Sequence, residues 1–168
     1  GSIILYGGNQ SAFTIQSVEG KTVGQMFESP KDFRSFTVCV PTYSSNGTED
    51  VTISIYEWKD SYAASVAADP LNTKTYVKFN DNQWLTIFQS AEAEDDESVF
   101  FPAGKYLVVL SNPTAKTGCW MFSSKTESTA SQAFKGGKEC DGAMMAKVIF
   151  SGNGENARFW DQISYKRS

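Results

Sequence analysis

The chain has 168 residues, of which 40% are hydrophobic, and this is enough for one domain to close a single core without disulfides or a metal. It has no histidine, which excludes Ser-His-Asp and Cys-His mechanisms and every His-ligated metal site. The 19 acidic and 15 basic side chains give a net charge of -4, so we expect no nucleic-acid partner.

Short runs rich in Val, Ile, Thr, Phe and Tyr follow one another along the chain, separated by clusters of Gly, Asn, Asp, Ser and Pro. In chain order, we predict strands at residues 3–6, 13–18, 22–27, 35–41, 51–58, 75–79, 84–88, 106–111, 119–123, 143–150 and 159–165. About ten strands predict an all-β fold, a two-sheet antiparallel β-sandwich of the jelly-roll type, because one open sheet would leave a face unburied.

Alternation along these strands predicts which side chains enter the core. In the strand at 51–58 the inward residues are Val51, Ile53 and Ile55, and the outward residues are Thr52, Ser54, Tyr56 and Trp58. In the strand at 35–41 the inward residues are Phe36, Val38 and Val40, with Thr37 and Cys39 opposite. Both faces of the strand at 84–88 are apolar, which predicts a central strand or one covered by a loop.

The start of the chain and its hydropathy bear on its domain organisation and on whether it enters a membrane. Gly1 and Ser2, directly before the first predicted strand, are typical of a cloning remnant. Residues 3–168 are interpreted as a single β-sandwich module taken from a larger protein. No run of about 18 apolar residues occurs, so we expect no membrane insertion.

Few residues are spaced to hold a metal or cofactor. The three cysteines include no CxxC pair, which argues against zinc, and Cys119 and Cys140 either form a disulfide or remain thiols. The acidic run at residues 92–97 contains oxygen ligands of the kind calcium binds, but it lacks the spacing and glycine of an EF-hand. A solvated loop is the other interpretation. We therefore expect no cofactor and leave a structural calcium ion open and unassigned.

Aromatic side chains outside the core are the informative feature of a chain that is 14% aromatic. Rings that stack on the apolar face of a sugar, beside polar groups that bond its hydroxyls, are typical of a glycan site. Two stretches, residues 56–62 and 112–125, have this mixture. The predicted carbohydrate-binding residues are Trp58, Tyr62 and Trp120 as stacking platforms and Asp60, Asn112 and Lys125 as hydrogen-bonding partners. The alternative is that these rings cover the core.

A catalytic function has less support in the sequence. A glycosidase needs two carboxylates that face each other across a cleft, and Glu57 is the acid placed most clearly inside a predicted strand. A lyase that uses Tyr and Lys has no motif here. We therefore predict no catalytic residues and no enzymatic activity.

Three segments resemble a known group of modules. They are residues 24–27 with 33–38, residues 51–58, and residues 101–110, which begin with Phe-Pro-Ala-Gly-Lys-Tyr. Their order is similar to the β-sandwich (jelly-roll, galactose-binding-like) accessory modules of bacterial glycosidases and surface glycan-degrading proteins, many of which are carbohydrate-binding modules. The resemblance spans about residues 20 to 125 and implies a glycan ligand, bound at a loop end or on a sheet face.

Together these features predict a non-catalytic carbohydrate-binding module that holds an attached glycan-active enzyme near its polysaccharide or glycan. The partners would be that glycan and a covalently linked catalytic domain. The resemblance implies an extracellular or cell-surface bacterial protein of polysaccharide degradation, and we expect a monomer. Two alternatives stay open: a structural or protein-interaction β-sandwich domain, and a small glycosidase or polysaccharide lyase.

Overall fold

The computed structural model describes residues 1–151, and within them the chain is an antiparallel all-β protein. Its strands are β1 (Ser2–Ile4), β2 (Tyr6–Thr14), β3 (Val23–Ser29), β4 (Ser35–Val40), β5 (Glu49–Glu57), β6 (Asn72–Phe79), β7 (Gln83–Phe88), β8 (Gly104–Ser111), β9 (Gly118–Lys125), β10 (Ser131–Lys135), β11 (Lys138–Cys140), β12 (Ala143–Met144) and β13 (Ala146–Ile149). One α-helix, α1 (Tyr62–Ala67), and 3-10 turns at Ile15–Ser17 and Glu92–Glu94 complete the elements. The predicted all-β sandwich is confirmed.

The strands form two layers. One is a six-stranded sheet in the order β11-β10-β3-β8-β5-β6. The other combines a four-stranded sheet, β1-β13-β4-β7, with a three-stranded sheet, β12-β9-β2. These two are joined because β1 continues through Leu5 into β2, and β12 continues through Met145 into β13. The Leu5 amide donates to the Ala146 carbonyl at 3.0 Å, which continues the pairing of β1 with β13 as far as this junction.

The core lies between the layers and takes side chains from all three sheets. Its predicted members are confirmed: Val51, Ile53, Ile55, Phe36, Val38 and Val40 are buried. A group of stacked and edge-on rings fills one part of it, formed by Phe27, Phe33, Phe36, Phe101 and Tyr106. Much of the aromatic excess is therefore structural, since burying each such side chain contributes about 1.5–3 kcal/mol.

The edges of the two layers are joined by the hydroxyl of Tyr76. Tyr76 lies on β6, the edge strand of the six-stranded sheet, and faces β7, the edge strand of the four-stranded sheet. Its hydroxyl donates to the Thr86 carbonyl at 2.9 Å and accepts from the Thr86 amide at 3.0 Å. Two backbone groups on an edge strand are thereby satisfied.

Several local predictions differ from the structure. The predicted strand at 13–18 ends at Thr14, because the chain turns there into the 3-10 turn at Ile15–Ser17. Residues 7–9, between the first two predicted strands, belong to β2, where a bulge between Gly7 and Gln10 absorbs the extra residues. Helix α1 and the hairpin of β10 and β11 had no predicted counterpart. The strand predicted at 159–165 lies outside the described residues.

The cysteines are free thiols, so Cys119 and Cys140 are not paired in this structure. Burial raises the pKa of Cys119 to about 12 and that of Cys39 to about 11, and it also raises the pKa of Cys140. All three are therefore protonated at neutral pH and none is an activated nucleophile. Among residues 1–151, no helix has the length and apolar character needed to cross a membrane.

Candidate functional site

An apolar and aromatic cluster lies on the outer face of the six-stranded sheet. Leu107, Val109 and Phe134 form its buried base, and Met26, Tyr56, Trp58, Tyr62 and Val66 pack against them half-buried. Alternation along β5 directs Tyr56 to this face, and the Trp58 amide extends the pairing by donating to the Lys105 carbonyl at 3.1 Å. The predicted outward direction of Tyr56 and Trp58 is thus confirmed, but these rings are half-buried because they pack in one cluster.

Helix α1 places Tyr62 on this cluster. Ser61 caps the helix, since its hydroxyl accepts from the Ala64 amide at 3.1 Å, and Tyr62 is the first helical residue. The ring contacts Gly24 and Gly137: a Cβ built on either would lie 3.2 Å from a Tyr62 ring carbon. Phe134 is 5.0 Å from the Tyr62 ring between centroids. The absence of side chains at the two glycines therefore makes room for Tyr62.

Trp58 also borders an open cleft at the end of β5, which we call the Trp58 cleft. Its volume is about 430 Å³, and it is lined by Glu57, Trp58, Leu71, Pro102, Ala103, Gly104, Lys105 and Tyr106. Leu71 is 47% exposed there, and the Tyr106 hydroxyl donates to the Pro102 carbonyl at 2.6 Å. One indole, one carboxylate and one ammonium group thus surround a space of the size that binds small ligands.

The six predicted binding residues fall in four places. Trp58 and Tyr62 both contact Phe134, with ring centroids 6.0 Å and 5.0 Å away, and the exposed Asp60 lies between them in sequence. Asn112 follows the far end of β8, about 25 Å of extended chain from the Trp58 cleft. Trp120 and Lys125 lie on β9, in the other layer.

Trp120 and Lys125 have their own surroundings. The Trp120 indole donates to the Asn82 side-chain oxygen at 2.7 Å, and its ring is half-buried. Lys125 donates to the Ser131 carbonyl at 3.1 Å and borders a polar cleft of about 350 Å³ that also has Gln132 and Asp141 in its wall. The predicted residues therefore do not converge on one site.

Sequence reasoning missed the contributions of Leu71, Lys105, Gly24 and Gly137. Leu71 and Lys105 reach the Trp58 cleft only because β5 pairs with both β6 and β8. Gly137 and Gly136 form the two-residue turn between β10 and β11. The contact of Gly137 with Tyr62 joins segments that are distant in sequence, so no local sequence pattern could have predicted it.

Catalytic groups are sparse around the Trp58 cleft. Glu57 is the one carboxylate among its lining residues in the described chain, whereas hydrolysis needs an opposed pair. Burial, with smaller contributions from Glu57 and Asp32, raises the pKa of Tyr106. A tyrosine with a raised pKa is a poorer base at neutral pH.

The acidic run at residues 92–97 surrounds a buried arginine. Arg34 is fully buried, and its guanidinium donates to the carbonyls of Ala93 at 2.5 Å and Val99 at 2.7 Å. Glu94 forms an ion pair with Lys74 at 2.9 Å. In the part of the chain that the structure describes, no group of three or more His, Cys, Asp or Glu side chains is arranged to hold a metal.

Comparisons with known proteins add little to this geometry. No protein-family model matches the chain, and no curated protein matches it. Among solved structures, a similar chain is the one titled "Crystal structure of infectious bursal disease virus VP2 subviral particle". It is 14% identical, with a TM-score of 0.31, and the match covers 94% of this chain and 34% of the viral one. The chain thus spans about a third of the length of that viral protein.

Proposed function

We propose that this chain is a non-catalytic carbohydrate-binding module and that the Trp58 cleft contacts the sugar. The supporting observation is a half-buried indole beside an open space of about 430 Å³, with the charged groups of Glu57 and Lys105 on its wall. The apolar C–H face of a pyranose ring would pack on Trp58, and its hydroxyls would bond the carboxylate and the ammonium group.

The cleft is suited to weak, reversible binding because it is open and one-sided. A ligand that keeps part of its surface in water gains less from burial than one in an enclosed pocket, and it remains connected to a longer polysaccharide. Weak binding is sufficient when the module is linked to an enzyme, because the linkage raises the effective substrate concentration near the catalytic domain. We therefore propose an extracellular or cell-surface bacterial modular protein with a catalytic domain in the same polypeptide.

The chemistry of the cleft favours binding over catalysis. Among residues 1–151, Glu57 is the single carboxylate lining the cleft, and it cannot supply both the acid and the nucleophile or base of a glycosidase. Lys105 and Tyr106 are adjacent in the cleft as a lyase would require, but the Tyr106 hydroxyl is engaged by the Pro102 carbonyl and its pKa is raised. Incubation with the polysaccharides below should therefore release no reducing ends.

Affinity gel electrophoresis tests the proposal with hydroxyethylcellulose, xylan, laminarin, polygalacturonate and mucin as immobile ligands. We expect at least one to retard the wild-type protein, and Trp58→Ala to weaken that binding by about tenfold or more, as for a central aromatic contact. Trp84→Ala is the matched control, because Trp84 is another half-buried indole but lies on the four-stranded sheet.

The urea midpoint of each variant is measured first, because a binding result can be interpreted only for a variant that is folded. Retardation by none of the five immobile ligands would overturn the proposed function. Equal retardation of Trp58→Ala and Trp84→Ala would leave glycan binding standing but remove the Trp58 cleft as its site.

One observation favours the protein-interaction alternative. The edge strand β6 carries Val77, which is 62% exposed, and is preceded by Leu71, which is 47% exposed. Exposed apolar side chains at a sheet edge are typical of contacts with another domain. Sedimentation that detects association, its loss in Val77→Lys, and no retardation by any polysaccharide would together favour this alternative.

A further inference from the structure

The loop after β4 contains a tight turn with an uncommon backbone. Tyr43 and Ser44 both have positive φ angles, of 55° and 68°, and the Ser45 amide donates to the Thr42 carbonyl at 3.1 Å. Positive φ at both central residues defines a type I′ turn, which normally contains Asn and Gly. A tyrosine in this position is strained, and it presents a ring that is 48% exposed.

A single carboxylate holds the turn in this conformation. Asp81, between β6 and β7, accepts from the Thr42 amide at 2.6 Å and from the Ser44 amide at 3.0 Å. The Asp81 amide in turn donates to the side-chain oxygen of Asn46 at 2.9 Å. The turn is therefore fixed from both sides, so the Tyr43 ring is presented on an ordered backbone and loses less entropy on binding than one on a loose loop would.

The residue next to Asp81 connects this turn to Trp120. Asn82 accepts from the Trp120 indole at 2.7 Å, and its own amide donates to the Val40 carbonyl at 2.9 Å. Gly118 brings the start of β9 against Pro41: its amide donates to the Pro41 carbonyl at 2.8 Å, and a Cβ on it would lie 3.1 Å from the proline ring. One end of the sandwich thus gathers an exposed tyrosine, a half-buried tryptophan and an exposed amide.

We propose that this group, the Tyr43 surface, is a second saccharide contact, separate from the Trp58 cleft. The surroundings of Tyr43 are polar, with Ser44, Asn46 and Asn82 exposed or nearly so, and this suits a hydroxyl-rich ligand better than an apolar protein surface. The Asn82 oxygen is already bonded to the Trp120 indole, and its NH₂ group donates no hydrogen bond within residues 1–151. That group can donate to a sugar hydroxyl while Tyr43 packs on the ring.

The proposal rests on the proposed function for its ligand class and adds a second valency. The Trp58 cleft lies on the six-stranded sheet, whereas the Tyr43 surface lies on the other layer. There Tyr43 follows β4, Asn82 precedes β7 and Trp120 is part of β9. A polysaccharide chain bound at one site raises the local concentration of sugar at the other wherever it can reach both. A short oligosaccharide would instead occupy the two sites independently.

The test uses the polysaccharide that most retards the wild-type protein, and its trisaccharide. Tyr43→Asn removes the ring but suits the type I′ turn, so we expect a higher urea midpoint together with affinity for the polysaccharide that is about tenfold lower. Ser44→Gly is the matched control, because it relieves strain at the same turn and keeps the ring; its binding should equal that of the wild type. Titration calorimetry with the trisaccharide should give two sites per chain, and one in Tyr43→Asn.

The outcomes separate the two proposals. Wild-type binding by Tyr43→Asn, with loss in Trp58→Ala, overturns the second contact and leaves the proposed function intact. Loss in Tyr43→Asn with wild-type binding by Trp58→Ala supports the Tyr43 surface and overturns the assignment of the Trp58 cleft. Equal loss in Tyr43→Asn and Ser44→Gly shows that the turn's backbone matters rather than the ring, which also overturns the proposal. A wild-type protein that binds none of the five immobile ligands overturns both.

Discussion

Replacing Arg34 by alanine should destabilise the fold strongly, although the residue belongs to neither proposed binding site. Its guanidinium is fully buried, lies 4.8 Å from the Phe88 ring centroid, and donates to the carbonyls of Ala93, within the acidic run, and Val99, just after it. Burial lowers the pKa of Arg34, while Glu97 and Asp96 oppose that shift, and the side chain remains charged at neutral pH.

The expected cost follows from the groups that the substitution leaves without partners. Two hydrogen bonds from a charged donor contribute about 1.5–3 kcal/mol each, so their loss costs about 3–6 kcal/mol. Loss of the contact with Phe88 adds about 1 kcal/mol or more, and removing the desolvation cost of the guanidinium offsets part of the total. We therefore expect Arg34→Ala to lower the free energy of unfolding by about 4 kcal/mol, which corresponds to a fall of about 8–16 °C in Tm for a chain of this size.

Urea unfolding followed by tryptophan fluorescence measures this change directly. Asp95→Ala is the control, because Asp95 belongs to the same acidic run but is exposed, and its effect should stay within about 0.5 kcal/mol. Arg34→Lys should fall between the two, since it keeps a charge but loses the two-pronged geometry. A loss below about 1 kcal/mol in Arg34→Ala would refute the reasoning that these bonds hold the acidic segment.

Two further substitutions probe polar contacts that close the sandwich. Glu49 is buried, and although burial raises its pKa, hydrogen bonds from Thr48, Thr114 and the Lys116 amide lower it below its ordinary value. A folded-state pKa below the unfolded one stabilises the fold above the unfolded pKa of about 4.3, and this contribution is lost as the pH falls through the folded value. The urea midpoint should therefore fall less between pH 6 and pH 3 in Glu49→Gln than in the wild type, and parallel profiles would contradict this. Tyr76→Phe leaves the Thr86 amide and carbonyl unpaired and should cost about 1–3 kcal/mol by urea unfolding, against no change for Tyr43→Phe, whose hydroxyl is at an exposed site.

Strand β5 illustrates how far local pattern predicts this fold. Its alternation correctly separated Val51, Ile53 and Ile55 from Tyr56, because the side chains of a strand with one face on a core must repeat every second residue. Alternation did not predict that Tyr56 and Trp58 would meet Phe134 from a hairpin more than seventy residues away, or that helix α1 would cover part of them. Helix α1 has six residues, too few to show helical periodicity, and its stability comes from the Ser61 cap and the packing of Tyr62.

The candidate sites show the same division. Composition and the placement of aromatic residues at strand ends predicted Trp58 and Trp120 as binding residues, but they did not predict that the two lie in different layers. Tyr43 attracted no attention in the sequence because its strain depends on Asp81, which reaches it from another loop. The backbone conformation of a residue can be predicted from the local sequence only when residues next to it in the chain determine that conformation.

The sequence by itself determined the all-β class, the inward faces of the central strands and the exclusion of imidazole chemistry, because these depend on residue identity and on a period of two. The tertiary structure alone decided which strands became neighbours and which loops met. It therefore also decided that Trp58 and Trp120 lie in different layers. The physical reason is that strand pairing satisfies backbone groups common to every residue, so the register that brings Lys105 to Trp58, or Asp81 to Tyr43, follows from packing the whole core.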